Sequence, residues 1–405
     1  MRILILTQYF IPETGAPQSR LLQWAKQLSK KGASVEVLTA MPNYPEMKIH
    51  PAYRGKFCLT EEIGGIKIHR AWIYTGSGKG ILPRLVNYFS FVFTSLLMGM
   101  FGTGKFDYVF CESPPLFLGI TAYILKVIKG ARLIFNVSDL WPESAEKLGL
   151  VTNRYFLGMA AYLERFLYRK SFLITGQTRG IVSNITSRFP QKNVFWFKNG
   201  ADAAELESIE NDPCLREKLG FNADDFLLLY AGILGHAQGL EVLLQAAKQL
   251  SSKPAIKFLI MGSGPEKEKL VRMKEAESLG NVFFFDSRPK TEVIPYIHAS
   301  DAALIPLKRL DLFKGAIPSK IFENLALKKP ILLGVEGEAK ELLIETGKAG
   351  LAFVPEDAAD LASRVLYLYT HPQERKQFGI NGYEYLQKEF NPEIIVNEFW
   401  NLINA

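Results

Sequence analysis

Cysteine is scarce in this 405-residue chain. Cys58, Cys111 and Cys214 are odd in number and far apart, which fits neither a disulfide framework nor a metal site. Low-complexity segments and short repeats are missing, and a composition of 48% hydrophobic and 22% charged residues is globular. Despite a net charge of +7, no run of Lys and Arg is interleaved with aromatic residues, so nucleic acid is set aside as a partner. An anionic membrane surface or a phosphorylated small molecule remains. A membrane-spanning helix wants about 20 strongly apolar residues. Leu85–Phe101 offers seventeen residues without a charge, and it carries Asn87, Ser90, Thr94 and Ser95. It predicts a buried or interfacial helix; Arg84 before it and Lys105 after it suit anionic lipid, while a core helix of an α/β domain is the plainer reading. The chain opens into an apolar strand without the apolar core and cleavage site of a signal peptide, which predicts a cytosolic location.

The length predicts two or three domains. Ile3–Leu6, a glycine loop at Gly15, a periodic segment from Ser19 to Lys30 and Val35–Leu38 form a strand–loop–helix–strand unit. Such alternation predicts a parallel sheet that binds ligands at the carboxyl ends of its strands. The Gly15 loop is not Gly-x-Gly-x-x-Gly, so a nicotinamide cofactor is not indicated. Alternating stretches around Gly64-Gly65 predict a hairpin. Further strands end at Glu112 and just before Asp139, placing two carboxylates on the edge that carries Gly15, where they can bind hydroxyls or take a proton. Glu143 is a weaker candidate, since it also suits a helix cap.

Residues 203–225 turn polar and acidic and read as the interdomain linker. The βαβ pattern then restarts with the strand Phe226–Ala231 and the loop Gly232–Gly239. Strands at Ile256–Met261 and Val282–Phe285 run out into Gly262 and Arg288. The fold expected is α/β, with two Rossmann-like domains facing across a cleft. The first comprises 1–198 together with a C-terminal helix at about 388–405 that crosses back; the second comprises 199–387.

The second half contains the most informative stretch, Gly315-Ala316-Ile317-Pro318-Ser319-Lys320-Ile321-Phe322-Glu323. A proline at the first helical position with a serine beside it signals a helix start, whose free N–H groups suit a phosphate. Lys320 adds a full charge there. Glu323, one turn on, can accept from two neighbouring hydroxyls such as those of a ribose. A capped surface helix with a solvated Lys and Glu is the alternative.

Together, the Asn199-Gly200-Ala201-Asp202 joint, the Ala231–Gly239 loop, Tyr9-Phe-Ile-Pro-Glu13, Val137–Ser144 and the Pro318–Glu323 helix start resemble glycosyltransferase family 4, of GT-B fold. Within it the chain looks closest to bacterial O-antigen and capsule enzymes similar to N-acetyl-L-fucosamine transferases. The resemblance implies a UDP-sugar donor, a polyprenyl-diphosphate-linked saccharide acceptor, attachment to the inner face of the cell membrane and no cofactor. It assigns the ribose to Glu323. Gly315 stands where the family's first glutamate of Glu-x7-Glu falls, and Ile233 and Gln238 stand where its phosphate-loop cations fall. Lys320 thereby becomes the main candidate for the diphosphate, beside Gly15, Gly232, His236, Gly262, Arg288 and Ser319. Asp139 and Glu112 are the candidates for the acceptor hydroxyl. No Asp-x-Asp occurs, so a metal clamp of that kind has no sequence support. A sugar-nucleotide 2-epimerase of the same fold is the nearest alternative, and a polyanion-binding protein a distant one.

Overall fold

The computed structural model describes all residues except 14, 45, 46, 77–80, 148, 150 and 405. It divides into two compact units, Met1–Lys198 with Ile395–Ala405, and Asn199–Ile394.

The first domain is built on an eight-stranded sheet of β1 (Arg2–Leu6), β2 (Ser34–Ala40), β3 (Cys58–Ile63), β4 (Ile66–Ala71), β5 (Tyr108–Ser113), β6 (Arg132–Val137), β7 (Leu173–Gly176) and β8 (Val194–Trp196). The spatial order is β3-β4-β2-β1-β5-β6-β7-β8, parallel except for β3. A strand covered on both faces must be apolar at every position, and β1 shows why. Ile3 and Ile5 enter one core, while Leu4 and Leu6 enter the other. The hairpin forms as expected. Ile63 pairs with Ile66, and Gly64 and Gly65 both take left-handed φ, +60° and +77°, as a tight two-residue hairpin turn requires.

Helices cover both faces. Helix α1 (Ala16–Lys30) and the C-terminal helix (Pro392–Asn404) serve one face; Phe399 stacks on Phe197 at 4.6 Å, and Phe197 on Trp24 of α1 at 3.6 Å. Helices α2 (Ile81–Phe101), α3 (Leu118–Lys129) and α4 (Arg154–Lys170) serve the other. Gly99 lets α2 approach Leu125 of α3 closely, and Thr121 Oγ1 donates to the Val92 carbonyl at 2.8 Å. The uncharged stretch is therefore a helix packed on one side, with Phe91 fully buried and Phe93 61% exposed. Among the described residues no helix is long and apolar enough to cross a membrane. The side chain of Arg84 lies outside the described part.

The second domain has a six-stranded, all-parallel sheet in the order β11-β10-β9-β12-β13-β14. Its strands are β9 (Phe226–Ala231), β10 (Ile256–Met261), β11 (Val282–Phe285), β12 (Ala302–Pro306), β13 (Ile331–Gly334) and β14 (Gly350–Ala352). Two helices matter for the site, α5 (Lys290–Ala299) and the short α6 (Lys320–Ala326). The stretch 203–225 is not a linker. It forms two short helices of the second domain, Ala203–Glu207 and Leu215–Lys218, and buries Leu206 and Phe221. Its polar composition belongs to the exposed faces of those helices.

Candidate active site

In the second domain, β9 to β12 are parallel neighbours, so the loops leaving their carboxyl ends share one edge. Gly232 follows β9 at φ +150°, and its N–H donates to the Met261 carbonyl at 2.9 Å. A Cβ on Gly262 would collide with the Gly232 carbonyl oxygen, and one on Gly264 with that of Leu234. These glycines let two loops lie backbone against backbone, so Gly262, expected to touch the donor, has a packing reason to be glycine. The Lys308 N–H donates to the Ala237 carbonyl at 2.9 Å, which ties the loop after β12 to the same glycine loop.

Lys320 opens α6. Its Nζ lies 3.8 Å from the centre of the Tyr230 ring, and a Cβ on Gly232 would come within 2.5 Å of it. The residue is half-buried as a whole, with its ammonium at the withdrawn end and without a hydrogen-bond or ion-pair partner among the described residues. Burial brings its pKa down to about 7, with the Glu323 carboxylate pulling weakly the other way. Ser319 occupies the N-cap in helical conformation, with no capping bond from its hydroxyl. Pro318 therefore precedes the cap instead of taking the first helical position, because the chain from Gly315 reaches the helix through an extended segment at Ala316. Glu323 is ion-paired with Lys290 of α5 at 2.9 Å. His236 is largely exposed and pairs with Glu266 at 2.5 Å. Arg288 pairs with Glu292 at 3.0 Å and lies over the Tyr296 ring.

In the first domain, β1, β5 and β6 bring Gly15, Glu112 and Asp139 to one edge. Gly15 is the N-cap of α1, exposed and extended, with Gln18 folded over it. Glu112 departs from expectation, being no free carboxylate. Arg20 Nη2 of α1 donates to Oε1 at 2.5 Å, Asn136 Nδ2 to Oε2 at 2.7 Å, and the Ser138 hydroxyl also donates to it. Gln177 Nε2 in turn donates to Ser138 Oγ at 2.6 Å, and Thr175 Oγ1 to Asn136 Oδ1 at 2.7 Å. With its oxygens taken up in this buried network, Glu112 cross-links α1, β5, β6 and the loop that starts at Ser138. Asp139, the next residue on that loop, is half-exposed. Partial burial holds its carboxyl above the usual range, against the opposing pull of the Ser144 hydroxyl, which donates to Oδ2 at 2.7 Å. Of the two acidic candidates, Glu112 is buried and Asp139 is partly exposed.

Three further residues emerge here that sequence reasoning missed, Tyr230, Lys290 and Arg20, and Glu13, which entered only as the end of a motif, gains a role. Glu13 accepts from the backbone N–H groups of Phe10, Asn43 and Tyr44 at 3.2, 2.6 and 2.8 Å, clasping the loops after β1 and β2, and burial raises it to about 7. Arg20 had one signal in the sequence: it stands four residues before Trp24 and eight before Leu28, on the buried stripe of α1. Tyr230 lies within an apolar strand run, and Lys290 pairs with a residue 33 positions away, so neither carried a local signal.

Among the described residues no three His, Cys, Asp or Glu side chains gather as a metal would need. The second domain's edge carries the Lys320 ammonium beside close-lying backbone, and the first domain's edge carries the partly buried Asp139 carboxylate.

Residues 15–200 match the family described as glycosyl transferase 4-like domain, and residues 211–385 match glycosyl transferases group 1. A putative colanic acid biosynthesis glycosyl transferase of Escherichia coli, WcaI, is 24% identical over 418 residues, covering all of both chains. Sucrose-phosphate synthase from Thermosynechococcus elongatus superposes with a TM-score of 0.76 at 17% identity, over 100% of this chain and 98% of that one. Anabaena HepE in complex with UDP and glucose gives 0.73 at 16% identity, over 100% and 99%. At these identities the two structural likenesses establish the fold alone. Two family matches that follow one another along nearly the whole chain, on two parallel-sheet domains of that fold, place it: the chain belongs to the family 4 glycosyltransferases, of GT-B fold.

Proposed function

We propose that this glycosyltransferase moves an N-acetylated amino- or deoxyamino-hexose from a UDP-sugar to a saccharide carried on polyprenyl diphosphate, in surface polysaccharide synthesis and without a metal ion. The observation that carries the reading is Lys320, whose ammonium has no ion-pair partner among the described residues and stands where the glycine loops of the second domain converge. In the reaction the bond from the sugar C1 to the β-phosphate oxygen breaks and a bond from the acceptor oxygen to C1 forms. The acceptor's proton goes to Asp139. The charge left on the nucleoside diphosphate is met by Lys320 and by backbone N–H groups of the glycine loops. Glu323 accepts from the ribose hydroxyls, with Lys290 fixing its carboxylate. The Anabaena neighbour's complex with UDP and the E. coli relative's place in colanic acid biosynthesis are consistent with this donor and pathway class.

A lipid-linked acceptor keeps the enzyme at the membrane surface. Val86, Phe89, Phe93 and Phe101 of α2 are exposed, as are Tyr155, Met159 and Tyr162 of α4, spaced i, i+4, i+7. Arg154, Arg165, Arg169 and Lys170 lie exposed along the same helix. Aromatic side chains among cations suit an anionic lipid interface. The test is incubation with a panel of nucleotide sugars and short lipid-diphosphate acceptors, with and without chelator. Release of UDP that depends on acceptor and survives chelator supports the proposal. An altered nucleotide sugar formed without acceptor would make the enzyme an epimerase.

A further inference from the structure

Tyr230 is fully buried in β9, yet its ring face meets the Lys320 ammonium at 3.8 Å. The hydroxyl of the same residue donates to the Ile233 carbonyl at 2.6 Å, which fixes the ring and the start of the glycine loop together. A Cβ on Gly232 would come within 2.5 Å of the ammonium, so glycine there leaves Nζ its place. An alkylammonium on a long stem has many rotamers, so a lysine that meets a phosphate from one direction needs something to hold it. The aromatic face does this without neutralising the charge, whereas a carboxylate at the same spot would compete with the diphosphate.

We infer that Tyr230 is a positioning residue for the donor diphosphate: its ring face and the notch at Gly232 hold the Lys320 ammonium ready for the phosphates. The inference rests on the reading of Lys320 as the diphosphate cation and adds the residues that place it. Among the described residues, the charged groups around Lys320 are engaged elsewhere. Glu323 on its own helix is engaged by Lys290 of α5. Toward the helix Ala203–Glu207, Glu207 pairs with Lys328 at 3.7 Å, and Lys328 lies over Tyr383 of the helix Pro372–Glu389. Lys329 donates to the His298 and Ser300 carbonyls. The neighbouring strands β12 and β13 are apolar throughout. Because burial brings the ammonium down to about 7, the free protein holds a mixture of charged and neutral Lys320 near neutrality. A bound diphosphate favours the charged form, so binding takes up a proton above that pH.

The test is calorimetric binding of UDP from pH 6 to 9, with GDP in parallel so that the base does not decide the outcome. The ligand's own titration is common to all variants and cancels. Wild-type affinity should fall through a limb near pH 7, and Tyr230→Phe, which keeps the ring, should retain that limb. Tyr230→3,4,5-trifluorophenylalanine keeps the shape while draining the negative face. It should move the limb lower by about one pH unit and weaken binding about fivefold at pH 7 and about ninefold at pH 8. An analogue indistinguishable from Tyr230→Phe overturns the positioning role, as does loss of the limb in Tyr230→Phe. If instead Lys320→Met binds both nucleotides like wild type, the reading of Lys320 itself falls. Lys320→Arg should bind without a limb, since arginine stays charged throughout the range.

Discussion

Glu112 decides between two readings of the first domain's edge, because a catalytic carboxylate and a structural one respond oppositely to removal. Replacing it with alanine removes the carboxylate that faces the Arg20 guanidinium, itself almost fully buried, and the acceptor of Asn136 and Ser138. Breaking a buried ion pair by deleting one partner costs about 3–5 kcal/mol. For a domain of this size each kcal/mol lowers the melting temperature by about 2–4 °C, so Glu112→Ala should melt roughly 6–20 °C lower. Glu112→Gln keeps one acceptor and the shape and should fall between. Differential scanning calorimetry with and without UDP is the assay. Bound nucleotide raises the transition of the domain that holds it, and the first domain's transition is the one left in place. Below that transition Glu112→Gln should retain at least a tenth of wild-type turnover. Unchanged melting with turnover abolished in Glu112→Ala would refute the structural account and return Glu112 to the chemistry.

Glu323→Ala should weaken UDP binding by about 1.5–3 kcal/mol, and Lys290→Ala by less, as measured by calorimetry; unchanged affinity in Glu323→Ala removes the ribose assignment. Ser144→Ala deletes the hydrogen bond that favours ionised Asp139, so the acid limb of the turnover profile should move to higher pH, and a fixed limb means Asp139 is not the base. Burial raises Glu13 from the ordinary 4.5 of a glutamate to about 7 in the folded state, so its contribution to stability is fully present below pH 4.5 and is lost as pH rises through 7. Urea titrations should show that dependence in wild type and not in Glu13→Ala. Sedimentation with vesicles should favour anionic over neutral lipid at low salt, with Phe93→Ser/Tyr162→Ser reducing both; equal partition onto both vesicle types would leave α2 an ordinary core helix.

The fold class was legible because it depends on short-range patterns. Apolar runs such as Leu227–Tyr230, closed by glycines and followed by periodic segments, specify buried parallel strands with crossover helices wherever they occur. The hairpin at Gly64-Gly65 was legible for a similar reason, since only residues tolerant of positive φ turn a chain in two steps. The short strands β13 and β14 were passed over, because four and three residues are too few to show a period. The stretch 203–225 was misread because polar composition reports exposure and not the absence of helices. Family membership was legible from motif order along the whole chain.

The partners of each charge were decided by tertiary structure alone. A carboxylate at a strand end looks the same in sequence whether it faces solvent or a guanidinium. Glu112 and Asp139 differ because the fold brings Arg20 of α1, Asn136 of β6 and Ser138 against one of them. Lys320 and Glu323 sit one turn apart, which the sequence records. Tyr230 beneath one and Lys290 beside the other come from β9 and α5, elements separated by dozens of residues. Burial and pairing set the charge state of such groups, and both are properties of packing across the fold, where local sequence carries no record of the neighbour.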